Sequence, residues 1–523
     1  MVQENRRIKK YLYSLIIISL IIRAFLANTL ELGNDEAYYW TYALYPDLSH
    51  FDHPPMVGWM MQLFSFNLLF DNEFFLRLSS VVFGTINILL VYKLGCLIKN
   101  PLTGLYASFL YVASIYFSII VGVFILPDGS LILFWLISIY IFLSFIKANQ
   151  SSENKNQALI WIGISAGLAI LSKYNGIFIW IGVFVYLLLY KRKILTKFNV
   201  WLGAIISIFI FLPVIIWNFQ YNFVSFDFQG NRVNFFEKGI TFNHIGAEIL
   251  GQMAYLNPFV FVLIWASIFL LIRKNNFIDK QIAAFLLLTG LPIIGLMLFF
   301  SLFRTTLPHW SIPGYLSLLF IPAAFLAEKK RINNILMPKV IKYGLLFILI
   351  VISIGLIEVK TGFFQLLKIT EKDFTLDIFG WKQAGEKFIL INNILVEQKR
   401  VRPDALILSW RWFPGANQDY YIARKTNKKM ILIGNLDKIH KYAWINRARG
   451  GIHLGDDAYF LVSDHDARSP SILEGLVFDS VIAIDTILVK RNQQSADKIL
   501  LYLLKGLKSY EKKFVLPEIF LPK

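Results

Sequence analysis

Carboxylates, cations and imidazoles gather at a few points of a chain that is otherwise mostly apolar. Asp35 and Glu36 stand together in Asn34-Asp35-Glu36-Ala37-Tyr38-Tyr39-Trp40, and Asp52 and His53 follow in Phe51-Asp52-His53-Pro54-Pro55. Asp128 comes directly after Pro127, and Lys173 lies in Leu171-Ser172-Lys173-Tyr174. Arg304 precedes Thr305-Thr306-Leu307-Pro308-His309-Trp310. Two adjacent carboxylates at a bilayer edge are costly unless solvated, paired or used in chemistry. A carboxylate within hydrogen-bond reach of an acceptor hydroxyl can take its proton. Cations nearby stabilise negative charge as it develops on a departing phosphate. Asp35, Glu36 and Asp128 are therefore the candidate catalytic acids. Lys173, Arg304, His53 and His309 are candidate contacts to a phosphate. Tyr38, Tyr39, Trp40 and Asp52 are candidates to line a sugar or lipid.

Each residue also has a plainer reading. Asp35, Glu36 and Asp128 suit helix caps and first-turn acids. Lys173 suits an anionic lipid headgroup as well as a substrate phosphate. The aromatics suit an interfacial belt. The two histidines suit ordinary hydrogen bonding or a metal, but the chain has no H-x-x-H or H-E-x-x-H pair. No metal ligand set is assigned, and a divalent cation stays an open alternative.

Of the 523 residues, 56% are hydrophobic and 16% charged, and the mean hydropathy is +0.57. A soluble domain carries roughly 25% charged residues. The apolar residues form blocks of the length that crosses a hydrocarbon core of ~30 Å, which excludes an ordinary soluble protein. The net charge of +18 does not point to nucleic acid, because the basic residues fall in alternate short loops, as the positive-inside rule requires. The single cysteine, Cys96, has no partner for an internal disulfide.

Eleven spans are predicted, at about 11–29, 76–98, 102–122, 127–146, 157–172, 175–190, 199–217, 253–272, 282–301, 309–327 and 342–358. Arg6, Arg7, Lys9 and Lys10 place the N-terminus in the cytoplasm, and the first span reads as retained rather than cleaved. Lys191, Arg192, Lys193, Arg273, Lys274, Lys329, Lys330 and Arg331 then fall on the same inner side. All the candidate residues come out on the opposite side, although they arise from five separate segments. A stretch from Met56 to Phe70 reads as an interfacial helix. Residues 1–359 form the membrane domain in this reading.

Residues 360–523 change character. Short runs rich in β-formers appear at Ala405–Leu408, Met430–Ile433, Tyr459–Val462 and Val481–Ile484, separated by polar or helical stretches. They predict a small extracytoplasmic α/β domain. Trp410-Arg411-Trp412 and Tyr420-Tyr421 read as core packing in preference to carbohydrate contacts. No internal repeat of the kind seen in inverted-repeat transporters is visible.

Acids beside cations on the outer face of a membrane protein suit transfer of a sugar from a lipid phosphate. The same residues resemble those of the family 39 integral-membrane glycosyltransferases of the C fold class, which include protein O-mannosyltransferases and lipid A aminoarabinose transferase. The resemblance covers roughly residues 10–330. It rests on Asp35-Glu36, the aromatics after it, His53-Pro54-Pro55, Pro127-Asp128, Leu171-Ser172-Lys173 and Pro308-His309-Trp310. It implies an all-α polytopic fold and inverting transfer from a polyprenyl-phosphate sugar to a lipid or glycan acceptor on the extracytoplasmic face of a bacterial inner membrane. It also implies that Asp35 is the catalytic or acceptor-positioning carboxylate and that Asp128 lies in the same cavity. Where the aminoarabinose transferase has a phosphate-binding lysine before Pro-Pro, this chain has His53, so Lys173 and Arg304 are left to carry the charge. No β-trefoil insertion is visible, and a protein acceptor is not supported by that feature. The rival expectations are a flippase or carrier of lipid-linked sugars and a glycan ligase.

Overall fold

The computed structural model describes residues 2–147, 154–233, 239–273, 276–333, 337–366, 373–464, 469–473 and 475–511. Lys274, one of the predicted inner cations, lies outside the described residues. The chain divides into two units, one of Met1–Asn28 with His53–Val351 and one of Thr29–Asp52 with Ile352–Lys523.

The first unit is helical throughout. Every predicted apolar segment is helical, and two of them, 102–122 and 253–272, are broken into two helices. Among the described residues, seven helices are long and apolar enough to cross a membrane, or nine if two bent pairs each count as one span. Gln157–Ser172 and Tyr174–Tyr190 correspond to two further predicted spans but are shorter. At ~1.5 Å per residue a helix of that length falls a few ångströms short of the hydrocarbon core. The break between them falls at Lys173, whose backbone is extended (φ −157°, ψ 140°). The chain is a multi-pass membrane protein. The predicted interfacial stretch is a shorter helix, Met56–Phe64, followed by a turn in which Phe66, Asn67 and Leu68 all take positive φ.

Two sharp bends shape this unit. Helix Pro101–Ala113 meets Tyr116–Val123 at 81°, and Ile245–Leu256 meets Pro258–Ile272 at 108°. The second bend is fixed by Asn257, which adopts φ 106° and accepts a hydrogen bond from the Phe259 amide at its Oδ1. Its side-chain amide donates to the Ala113 and Gly344 carbonyls, both at 3.0 Å. One side chain thus joins three helices, and the Phe259 amide and Ala113 carbonyl it meets are end groups that lack a partner within their own helices. Elsewhere helices approach closely over glycine. A Cβ on Gly163 would come within 2.2 Å of the Gly203 carbonyl, so Asn154–Ser172 and Phe198–Gln220 can meet only without one.

The second unit carries a five-stranded sheet of β1 Leu406–Ser409, β2 Met430–Leu432, β3 Ala458–Ser463, β4 Leu476–Arg491 and β5 Gln494–Tyr510, in the order β2-β1-β3-β5-β4. β1 runs parallel to β2 and β3, and β5 runs antiparallel to β3 and β4. The four predicted runs lie in β1 to β4. β5 was not among them. Helix Trp381–Glu397 buries Ala384, Phe388 and Leu395 on one face at helical spacing, with Asn392 among them accepting from the Tyr459 hydroxyl at 3.1 Å. Phe388 meets the Tyr459 ring edge-on at 5.0 Å.

The helix Asn34–Leu44, with the acid and aromatic motif, folds in this second unit. Lys441 holds its C-terminal end. The Lys441 ammonium donates to the Thr41 carbonyl (3.2 Å) and the Tyr45 carbonyl (2.6 Å) and lies 4.6 Å from the Tyr42 ring centroid. These are end carbonyls that lack partners inside the helix, and Lys441 supplies their donor although burial pushes its ammonium well down.

Candidate functional site

In the membrane unit the predicted residues converge on Asp128, at the first turn of Pro127–Lys147. The Lys173 ammonium donates to both Asp128 carboxylate oxygens, at 2.9 and 2.8 Å. The two side chains are 7% and 5% exposed, so this is a buried ion pair. Tyr116 donates its hydroxyl to Asp128 Oδ1. Tyr116 sits in the turn just past the 81° bend, which turns it toward Asp128. Its ring meets Tyr255 edge-on at 6.3 Å, and Tyr255 in turn packs 5.7 Å from the His309 ring.

His309 occupies a short turn, Pro308–Trp310, tied down by the Asn175 amide donating to the Trp310 carbonyl at 3.2 Å. Burial pushes the His309 imidazole down to about 4, and the positive charge of Lys173 adds to this while Asp128 opposes it. Arg232 and His53 add smaller repulsions, so Asp128, Lys173, His53, His309 and Arg232 share one electrostatic neighbourhood. The Arg232 guanidinium also lies 4.8 Å from the Trp310 ring centroid. Arg304, the predicted arginine, donates to the Asn231 carbonyl at 2.9 Å, next in sequence to Arg232.

The shift of His309 has a direct consequence for stability. The unfolded imidazole takes its proton near pH ~6.5, whereas in the folded chain it does so only near 4. The stabilisation this supplies is complete above the unfolded value and is lost as pH falls from there toward 4. Melting in detergent is expected to drop over that window for the wild type and less steeply for His309→Gln. Parallel curves for the two would rule the effect out.

Three groups here escaped the sequence reading. Tyr116 and Arg232 sit in stretches with no motif-like neighbours. Glu248 is a third: it is 1% exposed and accepts from the Thr306 hydroxyl at 2.7 Å and the Gln252 amide at 2.8 Å. Its position three residues into Ile245–Leu256, an apolar helix, was the one available signal.

In the other unit, Asp35 is exposed at the first turn of Asn34–Leu44. Glu36 is buried and its Oε2 accepts from the Gly33 amide at 3.0 Å, as the acid of a capping box does. Asp52 is 7% exposed and accepts hydrogen bonds from the Tyr38 hydroxyl (2.8 Å) and the Tyr42 hydroxyl. Burial and the Asp52 charge push both phenols well up, so they stay protonated as donors. Tyr38, Tyr39 and Trp40 are buried at 1%, 5% and 2% exposure. Tyr38 packs 5.2 Å from Trp412, and Trp40 meets Tyr420 at 5.2 Å. Trp410 and the Tyr420-Tyr421 pair are likewise buried, in keeping with core packing.

Among the described residues no group of three or more His, Cys, Asp or Glu side chains is placed to hold a metal ion. A groove of about 650 Å³ opens in the membrane unit between the helices on either side of the Lys173 break and Phe198–Gln220. It is lined almost wholly by apolar side chains, among them Ile170, Tyr174, Trp180, Phe211 and Phe226.

Comparison with known proteins agrees with this picture. Residues 52–217 match the family model described as dolichyl-phosphate-mannose-protein mannosyltransferase. A lipid A galacturonosyltransferase, RgtD of Rhizobium johnstonii, is 21% identical over 287 residues, which is 54% of this chain and 58% of that protein. The chain thus spans little more than half the length of that relative. ArnT from Cupriavidus metallidurans bound to undecaprenyl phosphate superposes with a TM-score of 0.60 at 12% identity, covering 98% of this chain and 99% of that one. Its apo form gives 0.58 at 13% identity, covering 94% and 98%. The resemblance to the family 39 integral-membrane glycosyltransferases is borne out, and the solved structures share the fold along nearly the whole chain.

Proposed function

We propose that this chain, which has the fold of the C-class membrane glycosyltransferases, moves a sugar from a polyprenyl-phosphate carrier to a lipid or glycan acceptor on the extracytoplasmic face of a bacterial inner membrane. The observation that carries the reading is the buried Asp128–Lys173 pair beside an apolar groove. The groove is lined by Ile170 and Tyr174, which flank Lys173 in sequence. A long hydrocarbon chain needs an apolar channel, and its phosphate needs a desolvated cation where the channel ends. A protein of 12% identity with this fold is described as bound to undecaprenyl phosphate.

In this mechanism the acceptor hydroxyl attacks the anomeric carbon as the bond from that carbon to the phosphate oxygen breaks, inverting the centre. Asp35 takes the acceptor proton. The polyprenyl phosphate leaves with its charge held by Lys173, assisted by His53, His309, Arg304 and Arg232. Asp128 keeps the Lys173 ammonium aimed and ionised in a dry site, where an isolated cation would be costly. A neutral His309 donates a hydrogen bond rather than a charge. Glu36 supports Asp35 through the helix cap.

The test is mass spectrometry of lipid-linked sugars incubated with purified full-length protein and membrane lipid extract. Consumption of one polyprenyl-phosphate sugar with appearance of a glycosylated acceptor is expected. Movement of the lipid-linked sugar across proteoliposomes with no transfer would overturn the reading in favour of a carrier.

A further inference from the structure

The second unit contains a cavity of about 350 Å³ that the transfer chemistry above does not use. Its place in the sheet is informative. From β1 the chain goes first to β2 on one side, then crosses to β3 on the other. The order therefore reverses between β1 and β3, which run parallel. In open α/β sheets this reversal opens a crevice at the carboxyl ends of the strands, and ligands bind there. The cavity occupies that crevice: Arg411 and Phe413 follow the end of β1, Ser463 ends β3, and Asp497 lies on the paired β5.

The lining has the chemistry of a sugar site. Trp381 presents a half-buried indole, with one hydrogen bond holding the ring and another holding its backbone. Its ring nitrogen donates to the Asp377 carbonyl at 3.3 Å, and its backbone amide donates to the Glu31 carboxylate at 2.7 Å. Phe413 lines the same cavity. Gln418 is 2% exposed, and its side-chain amide donates to the Leu461 carbonyl at 3.0 Å. That bond fixes which way the group points and leaves Gln418 Oε1 buried with no hydrogen-bond partner. A buried carbonyl oxygen without a donor is costly, and a ligand hydroxyl would remove the cost.

The charges define what can enter. Asp373 is already satisfied by Arg491 at 2.5 Å. Asp377 and Asp497, the latter accepting from the Ser463 hydroxyl at 2.8 Å, share the wall with Arg411, and among the described lining residues Arg411 is the one cation. Two carboxylates against one guanidinium disfavour a phosphate or a sugar acid. They suit hydroxyls, which donate to carboxylates and accept from arginine. The volume lies at the small end of the usual range of ~300–1,000 Å³ for small-molecule sites.

We propose that this cavity binds a saccharide of one or two rings without negative charge, with Trp381 as the stacking platform and Gln418 Oε1 as a hydroxyl acceptor. Asp377 also accepts from the Asn34 side chain, the residue before Asp35. This places the saccharide site next to the helix that carries Asp35, and its role is to hold the glycan part of an acceptor. That role rests on the proposed glycosyl transfer. The binding itself does not.

Saturation-transfer NMR on the full-length protein in nanodiscs, with maltose, lactose and chitobiose as probes, tests the site without any donor. At least one probe is expected to receive saturation from the wild type with no lipid-linked donor present. Trp381→Ala is expected to weaken that binding by about tenfold, while Trp381→Phe, which keeps a ring, retains most of it. Gln418→Leu, close in size, is expected to lose binding with little loss of fold. Absence of transfer to every probe, unchanged binding in Trp381→Ala, or displacement of the sugar by inorganic phosphate would each overturn the proposal. Sugar binding without measurable glycosyl transfer would leave the site standing and remove only its assignment to an acceptor.

Discussion

Asp35→Asn is expected to reduce glycosyl transfer by about 10²–10⁴-fold, the contribution of a positioned general base. The loss should come without loss of fold. Asp35 is exposed at the first turn of Asn34–Leu44, and a near-isosteric change at such a position shifts stability by roughly ±0.5 kcal/mol. Turnover of the lipid-linked donor, measured beside a melting curve in the same detergent, separates the two. Near-normal turnover in this variant would remove Asp35 from the chemistry. Glu36→Gln provides the comparison. Its side-chain oxygen still accepts from the Gly33 amide, so the cap survives while the charge is gone. A loss as large as that of Asp35→Asn would move the base to Glu36.

The second large effect lies at Lys173. Replacing it with Met leaves the Asp128 carboxylate buried without its cation, and breaking such a pair costs about 3–5 kcal/mol. Both side chains are almost inaccessible, at 7% and 5%, so solvent does not screen this figure away. The single variant alone cannot tell a structural lysine from a phosphate ligand. The double variant Asp128→Asn with Lys173→Met can. It leaves no isolated charge, and most of the stability is expected to return. Transfer is expected to stay down by about 10²–10³-fold, because the cation that met the leaving phosphate is gone. Recovery of turnover along with the melting temperature would reduce Lys173 to a structural role.

The sequence carried the membrane half of the fold because hydropathy is local. A block of apolar residues long enough to cross a bilayer forms a helix whatever its neighbours, since lipid offers no other partner for its backbone. All eleven predicted segments are helical for that reason, although two of them are broken by bends. The division within them was less legible. Asn257 and Ser114 look unremarkable in sequence, yet they mark the 108° and 81° bends, and a bend is stabilised by contacts from other helices. In the second unit β1 to β4 were readable as runs of β-formers. β5, with Lys498-Ile499-Leu500-Leu501-Tyr502-Leu503-Leu504-Lys505-Gly506, reads as readily as a helix. Its strand form comes from pairing with β4 across Asn492-Gln493, both of positive φ, rather than from its own propensity.

The sequence by itself thus determined a multi-pass membrane protein with a small α/β unit and a set of acids, cations and imidazoles on one predicted side. Only the tertiary structure decided how those groups pair. Lys173 meets Asp128 across 45 residues of chain, and Tyr116 reaches Asp128 because the helix before it breaks. Asn34–Leu44 was read as part of a membrane loop, and it folds with Lys441, some 400 residues away, in the unit that carries the sheet. The saccharide cavity depends on strand order, which no single strand encodes. Burial and periodicity are set by each residue and its near neighbours. The partner of a buried charge is set by which elements pack together, and that choice is made by the whole chain.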